Sequence, residues 1–156
     1  MTDAGKMLLI DGAHIVDPSQ ALDGAGRILV VDGKIAGCGK IGDGDLPADV
    51  ERLDARGLIA APGLVDMRVF VGEPGYEHRE TLASASHAAA AGGVTSFVCM
   101  PDTNPVIDDV ALVDFIQRAA RDTAQVNVYP SAALTKGLEG REMTETILKR
   151  SPDLDF

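Results

Sequence analysis

Two rhythms of apolar and polar positions divide the chain. Up to about residue 62 the apolar positions fall in short extended runs at 7–10, 13–16, 26–31, 34–36 and 52–54, with turn residues between them, a pattern that predicts strands. Asp32-Gly33, set between 27–31 and Lys34-Ile35, predicts a two-residue hairpin, because a type I′ turn needs positive φ at both central positions. The prediction for this part is a small antiparallel, β-sandwich-like sheet. Gly37, Gly39, Gly42 and Gly44 mark a loop before the chain returns through 50–54.

After Pro62-Gly63 the rhythm changes to strands alternating with helices, the signature of parallel βαβ units. Residues 64–71 are nearly continuously apolar, as in a strand buried on both faces. An Ala-rich helix is predicted over 80–91, closed by Gly92-Gly93, where glycine can take the left-handed conformation. A second strand over 94–100 ends at Pro101. Asp108-Asp109 then opens a helix through 121, with acidic groups at the positive end of its dipole and Val110, Val113, Phe115, Ile116 and Ala120 as its apolar stripe. A third strand is predicted over 126–129 and a last helix over 142–150. The organisation is therefore an N-terminal β subdomain, 1–62, and a partial β/α barrel, 63–156. A closed eight-fold barrel needs roughly 200 residues or more, so the second part holds about three βα units.

Hydrophobic residues make up 46% of the chain and charged residues 24%, enough apolar matter for a core. A formal net charge of −10 repels polyphosphate and anionic membrane surfaces, which argues against nucleic acid or a membrane as partner. The apolar run 7–10 is too short for a signal-peptide core or a membrane span, and a cytoplasmic protein is expected. Cys38 and Cys99 lack a Cys-x-x-Cys spacing and are read as reduced thiols. His14 reads as a strand-surface residue. His78 and His87 have no partner at ligand spacing, and Glu77 and Glu80 beside them read as helix-start groups rather than a metal site. Ser131 and Thr135 have no histidine placed to activate them and no Gly-x-Ser-x-Gly elbow. The Gly24-Ala25-Gly26 and Gly39 regions lack the strand-then-helix context of a phosphate loop.

The stretch Asp54-Ala55-Arg56-Gly57-Leu58-Ile59-Ala60-Ala61-Pro62-Gly63-Leu64-Val65-Asp66 resembles the barrel entry of amidohydrolase-superfamily enzymes. Further motifs follow: Glu73-Pro74-Gly75, Glu77-His78-Arg79-Glu80-Thr81, Ala89 to Thr95, Met100-Pro101-Asp102-Thr103-Asn104-Pro105-Val106 and Thr135-Lys136-Gly137-Leu138-Glu139-Gly140. Together they resemble bacterial dihydroorotase of the long, allantoinase- and hydantoinase-related class, over residues 7 to about 145. The resemblance implies α/β architecture, a small N-terminal sheet followed by the first units of a TIM-type (β/α)8 barrel, incomplete in this chain. It also implies a place in pyrimidine synthesis, where the family makes dihydroorotate from carbamoyl aspartate with one or two zinc ions at the barrel mouth. Zinc there lowers the pKa of its water and polarises a carbonyl.

The family's Asp-x-His-x-His-x-Arg motif, two zinc ligands and a substrate-carboxylate clamp, reads here Asp66-Met67-Arg68-Val69-Phe70-Val71-Gly72. Arg68 and Phe70 replace the histidines, Gly72 replaces the arginine, and Asp102 replaces the family's substrate-contacting asparagine. A guanidinium has no acceptor and repels a dication, a phenyl ring has no lone pair, and glycine cannot hold a carboxylate. The expectation is no catalytic residue, no resident metal and no cofactor in this chain. Arg68 either replaces the metal's charge, pairing with Asp66, Glu73 or Asp102, or, the preferred reading, forms a structural ion pair that fills the vacated site. Phe70 is expected to pack as core in the former metal cavity. Asp102 and Asn104, on the loop after the second barrel strand, are the candidate substrate-binding residues, although Asp-Thr-Asn-Pro is also ordinary turn chemistry.

The first functional expectation is thus a catalytically silent dihydroorotase homologue. The resemblance implies, for such a homologue, a structural partnership with aspartate transcarbamoylase. The alternatives are an active metal-dependent cyclic amidohydrolase using other ligands, and a truncated fragment without independent role. Open edges of a partial parallel sheet also predict self-association or dependence on a partner.

Overall fold

The computed structural model describes residues 6–46 and 50–144. Two compact units meet at the Pro62–Gly63 junction, Met1–Pro62 and Gly63–Phe156.

In the first unit the runs 7–10 and 13–16 join into one strand, β1 (Met7–Asp17), followed by β2 (Leu22–Val31), β3 (Lys34–Gly39), β4 (Glu51–Asp54) and β5 (Ile59–Ala60). One extra residue at Gly12, with φ of 81°, shifts the β1–β2 register between Asp11 and Ala13, so the break in the apolar pattern is a glycine bulge and not a strand end. Asp32 (φ 51°) and Gly33 (φ 74°) form the expected tight turn between β2 and β3. The sheet order is β3-β2-β1-β4, with β5 also on β1. The sheet is mixed, which corrects the purely antiparallel expectation: β4 and β5 run parallel to β1. Between β3 and β4 the chain passes from one edge of the sheet to the other, so the return strand can enter in either direction. Leu9, Ala13 and Ile15 are buried. Arg27 joins the sheet to the following loop, donating to Asp11 at 2.8 Å and Asp43 at 2.8 Å. Asp54 is lowered to about 2 by the Arg56 guanidinium that hydrogen-bonds to it.

The second unit runs β6 (Leu64–Val69), α1 (Leu82–Ala91), β7 (Val94–Cys99), α2 (Val110–Thr123), β8 (Asn127–Pro130). The three strands are parallel in the order β6-β7-β8. Helix α1 begins two residues later than expected because Thr81 is its N-cap and forms a reciprocal capping pair with Ser84, which satisfies otherwise orphaned N–H groups. Gly93, at φ of 78°, supplies the left-handed residue behind it. Helix α2 is capped by Asp109, whose carboxylate accepts from the Ala111 N–H at 2.7 Å. Leu112, Val113, Ile116, Ala119 and Ala120 face the core, a helical stripe that excludes Phe115, which is exposed. The core is Val71, Leu82, Ala85, Phe97, Cys99, Ile107 and Ile116.

Two expectations are corrected here. Strand β6 is not buried on both faces: Leu64, Val65 and Met67 are exposed, because β6 is an outer strand with a neighbour on one side only among the described residues. Of the helix expected over 142–150, Glu142, Met143 and Thr144 are non-helical, with Met143 bridging Thr135 antiparallel and Thr144 buried; 145–150 lie outside the described residues.

Cys99 lies in the core, and burial pushes its thiol up to about 11, whereas Cys38 is half-buried. A thiol with so raised a pKa is ionised on the order of one part in a thousand at pH 8 and is nearly inert there, since the thiolate is the reactive form. Ellman's reagent at pH 8 is expected to titrate Cys38 first and Cys99 only on unfolding. Two equally fast thiols would contradict this core.

Candidate functional site

Parallel strands end together, so the loops that follow β6, β7 and β8 meet at one rim. Backbone hydrogen bonds join them: Met100 N–H donates to the Val69 carbonyl at 3.0 Å, Asn104 N–H to Pro74 at 3.0 Å, Ser131 N–H to Cys99 at 3.0 Å and Ala133 N–H to Ile107 at 2.7 Å. Val69 and Val71 turn into the helix-side core, which by the alternation of a strand leaves Asp66, Arg68 and Phe70 on the opposite face. At this rim lies a cleft of about 360 Å³ lined by Arg68, Phe70, Met100, Pro101, Asp102 and Leu138.

Arg68 forms no ion pair within 4.0 Å among the described residues, which corrects the expected structural pair. The acids considered for it are committed elsewhere. Asp66 accepts the backbone N–H of Arg68 at 2.9 Å, and Glu73 accepts the Leu82 N–H at 2.9 Å, a carboxylate placed at the positive end of α1. Asp102 shares the cleft with Arg68, and its side chain has no hydrogen-bond or ion-pair partner among the described residues. Phe70 is half-buried and not core as expected: the Arg79 guanidinium sits 4.6 Å from its ring centroid, a cation–π contact that holds the ring in the cleft wall.

The Gly72 position is closed to larger residues. A Cβ there would lie 2.3 Å from the Tyr76 carbonyl oxygen and 2.9 Å from that of Glu80. Gly75 (φ 95°) presses as closely on the Asn104 carbonyl, at 2.0 Å from a Cβ. Asn104 is thereby part of the packing between two loops and does not line the cleft; of the two candidate binding residues only Asp102 does. Glu77 accepts the Gly75 N–H at 2.8 Å, which holds its carboxyl below the usual range. Gly137 N–H donates to Asp108 at 2.8 Å, fixing the loop that carries Leu138.

His14 is a surface residue bonded to Asp23 at 2.7 Å, His78 stands edge-on to Tyr76, and His87 is exposed on α1. Among the described residues no three His, Cys, Asp or Glu side chains converge as a metal site. The donors at the strand ends do not fit zinc: a guanidinium and a phenyl ring stand at the two positions where the resemblance implies ligands, and the nearby Asp66 carboxylate is turned to a backbone N–H. Two larger hollows carry less chemistry. One of about 780 Å³ follows β8 and the ends of α1 and α2, with Arg121 its single charged side chain. The other, about 430 Å³, surrounds Arg27, already paired. No described helix is long and apolar enough to cross a membrane.

Sequence reasoning missed Arg79, Met100 and Leu138. The charge of Arg79 two residues before a helix cap was the available signal; the other two reach the cleft through loop geometry that has no local pattern.

Residues 57–152 match the family model described as dihydro-orotase-like. The dihydroorotase of Syntrophus aciditrophicus (strain SB) is 44% identical over 138 residues, 88% of this chain and 32% of that protein. The dihydroorotase of Citrifermentans bemidjiense is 43% identical over 139 residues, with the same coverage. The chain spans about a third of the length of these curated relatives. Among solved structures, L-hydantoinase (dihydropyrimidinase) from Arthrobacter aurescens aligns with a TM-score of 0.76 at 23% identity, covering 92% of this chain and 30% of that one. D-hydantoinase (dihydropyrimidinase) from Thermus sp. aligns at 0.63 and 22%, over 94% and 31%. This likeness shows the fold: an N-terminal sheet followed by the first βα units of a TIM-type barrel.

Proposed function

The chain belongs to the dihydro-orotase-like family, and from that premise we propose that it is a catalytically silent member whose role in pyrimidine synthesis is structural. The observation that carries this reading is the pair Arg68 and Phe70 at the end of β6, where metal ligands would have to stand. A guanidinium cannot generate a hydroxide nucleophile, and the phenyl ring donates no electron pair. Gly72 adds no clamp for a carboxylate, and Asp102 repels a dianionic substrate. The chemistry of carbamoyl aspartate cyclisation therefore has neither its electrophile nor its anchor in these residues.

Aspartate transcarbamoylase is the proposed partner. Among the described residues β6 and β8 are the outer strands of their sheet, and the exposed Leu64, Val65 and Met67 are an apolar surface that association would cover. The free thiols Cys38 and Cys99 suit a reducing, cytoplasmic setting. A second reading, an active metal-dependent dihydroorotase, is favoured by the 44% identity to a protein of that name.

Metal analysis and assay separate the two. Chain purified with zinc present and then gel-filtered is expected to carry far less than one zinc, and to cyclise carbamoyl aspartate no faster than the blank. Near-stoichiometric zinc with turnover would establish the second reading. Light scattering of the chain mixed with aspartate transcarbamoylase tests the partnership: a defined co-eluting complex supports it, and separate elution removes it.

A further inference from the structure

We propose that the cleft at the strand ends binds a small zwitterion, a molecule with one carboxylate and one ammonium group on an apolar body, without a metal. The inference rests on the silent reading above and names the ligand class of that same site. The cleft contains one cation, Arg68, and one anion, Asp102, and neither is neutralised by a side chain of the described residues. Asp66 and Glu73, the acids nearest to Arg68 along the chain, are held by backbone N–H groups at 2.9 Å each. Two opposite charges that share a cleft without pairing are complementary to a ligand that carries both.

The chemistry at each end is specific. A guanidinium presents parallel N–H donors that match a carboxylate in bidentate fashion. Asp102 offers only acceptors and so selects an N–H donor, an ammonium best. Between them Phe70, Met100, Pro101 and Leu138 form apolar walls, the usual composition of a small-ligand cleft with few oriented polar groups. The walls are not loose: Arg79 holds Phe70, and Asp108 holds the Leu138 loop through Gly137. A dianion gains one favourable charge and meets one repulsive one, so the site discriminates against dicarboxylates.

The test uses the full chain, stripped with chelator, and isothermal titration with β-alanine, 4-aminobutyrate, 5-aminopentanoate and 6-aminohexanoate, against succinate and 1,4-diaminobutane. One length of the amino-acid series is expected to bind at least tenfold more tightly than both symmetric probes. Arg68→Gln is expected to lose that binding tenfold or more, and Asp102→Asn to lose it while improving succinate several-fold. Tyrosine fluorescence of each variant in urea checks that both exposed substitutions leave the fold intact. Equal binding of succinate and the amino acids, binding indifferent to Arg68→Gln, or no binding of any amino acid overturns the proposal. Repeating the titration with added zinc keeps the two readings apart: zinc uptake with cyclisation overturns the silent reading, whereas absent binding in zinc-free protein that takes up no zinc overturns this one alone.

Discussion

Phe97→Ala is expected to lower the urea midpoint of residues 63–156 by about 1–3 M. Phe97 is fully buried on β7, inside the cluster of Val71, Leu82, Ala85, Cys99, Ile107 and Ile116. Deleting a ring from such a site removes its transfer free energy and leaves a cavity, together about 3–5 kcal/mol. That loss is set against a total of about 5–15 kcal/mol for a domain and a urea dependence of about 1–3 kcal/mol per molar. The two tyrosines, Tyr76 and Tyr129, both lie beyond Gly63 and the chain has no tryptophan, so tyrosine fluorescence reads this unit alone. Phe97→Leu keeps most of the volume and is expected to cost about 1 kcal/mol. A midpoint unchanged by the alanine would mean that β7 does not carry the core.

The elements that were legible in the sequence are those whose signal is local. The Asp32-Gly33 turn, the Gly93 helix stop and the alternation of strand and helix after Pro62 each follow from backbone sterics or from one amphipathic period. The direction of β4 was not legible, because a four-residue strand has the same pattern whichever way it enters the sheet, and only pairing with β1 decides it. The Gly12 bulge was hidden for a related reason: one inserted glycine interrupts the alternation as a turn would. Strand β6 misled in the other direction. Its apolar run records a preference for burial, whereas its exposure records how many neighbours it has.

At the site, residue chemistry was legible and pairing was not. The chemistry of Arg68 and Phe70 could be read directly, since no arrangement of neighbours turns a guanidinium or a phenyl ring into a zinc ligand. The partner of Arg68 could not, because the choice depended on which carboxylates the backbone had already taken. Asp66 and Glu73 were taken by N–H groups at the end of β6 and the start of α1. Asn104 left the candidate site for the same kind of reason, its carbonyl being packed against Gly75.

The clearest division among positions 68, 70 and 72 is energetic, and a substitution series exposes it. Arg68→His with Phe70→His is expected to fold with a urea midpoint within about 1 M of the parent. Arg68 is exposed and forms no ion pair among the described residues, and Phe70 loses chiefly its contact with Arg79, worth about 0.5–2 kcal/mol. Adding Gly72→Arg to that pair is expected to unfold the unit or lower its midpoint by a further 1 M or more. The first carbon of any side chain at position 72 meets two backbone carbonyls, of Tyr76 at 2.3 Å and Glu80 at 2.9 Å, and carbonyls held in a hydrogen-bonded turn cannot rotate aside as a side chain would. The Tyr76 N–H donates back to the Gly72 carbonyl at 2.5 Å, so relief requires opening that turn, and overpacking of this kind costs about 1–3 kcal/mol or more. Gly72→Ala alone is therefore expected to be nearly as damaging as Gly72→Arg, which separates backbone crowding from any effect of the arginine's charge. If the triple variant were as stable as the double, the turn would be able to admit a side chain and an arginine at position 72 would be a simple substitution. If it unfolds, positions 68 and 70 accept histidines one residue at a time, but position 72 accepts no side chain without rebuilding the loop between β6 and α1.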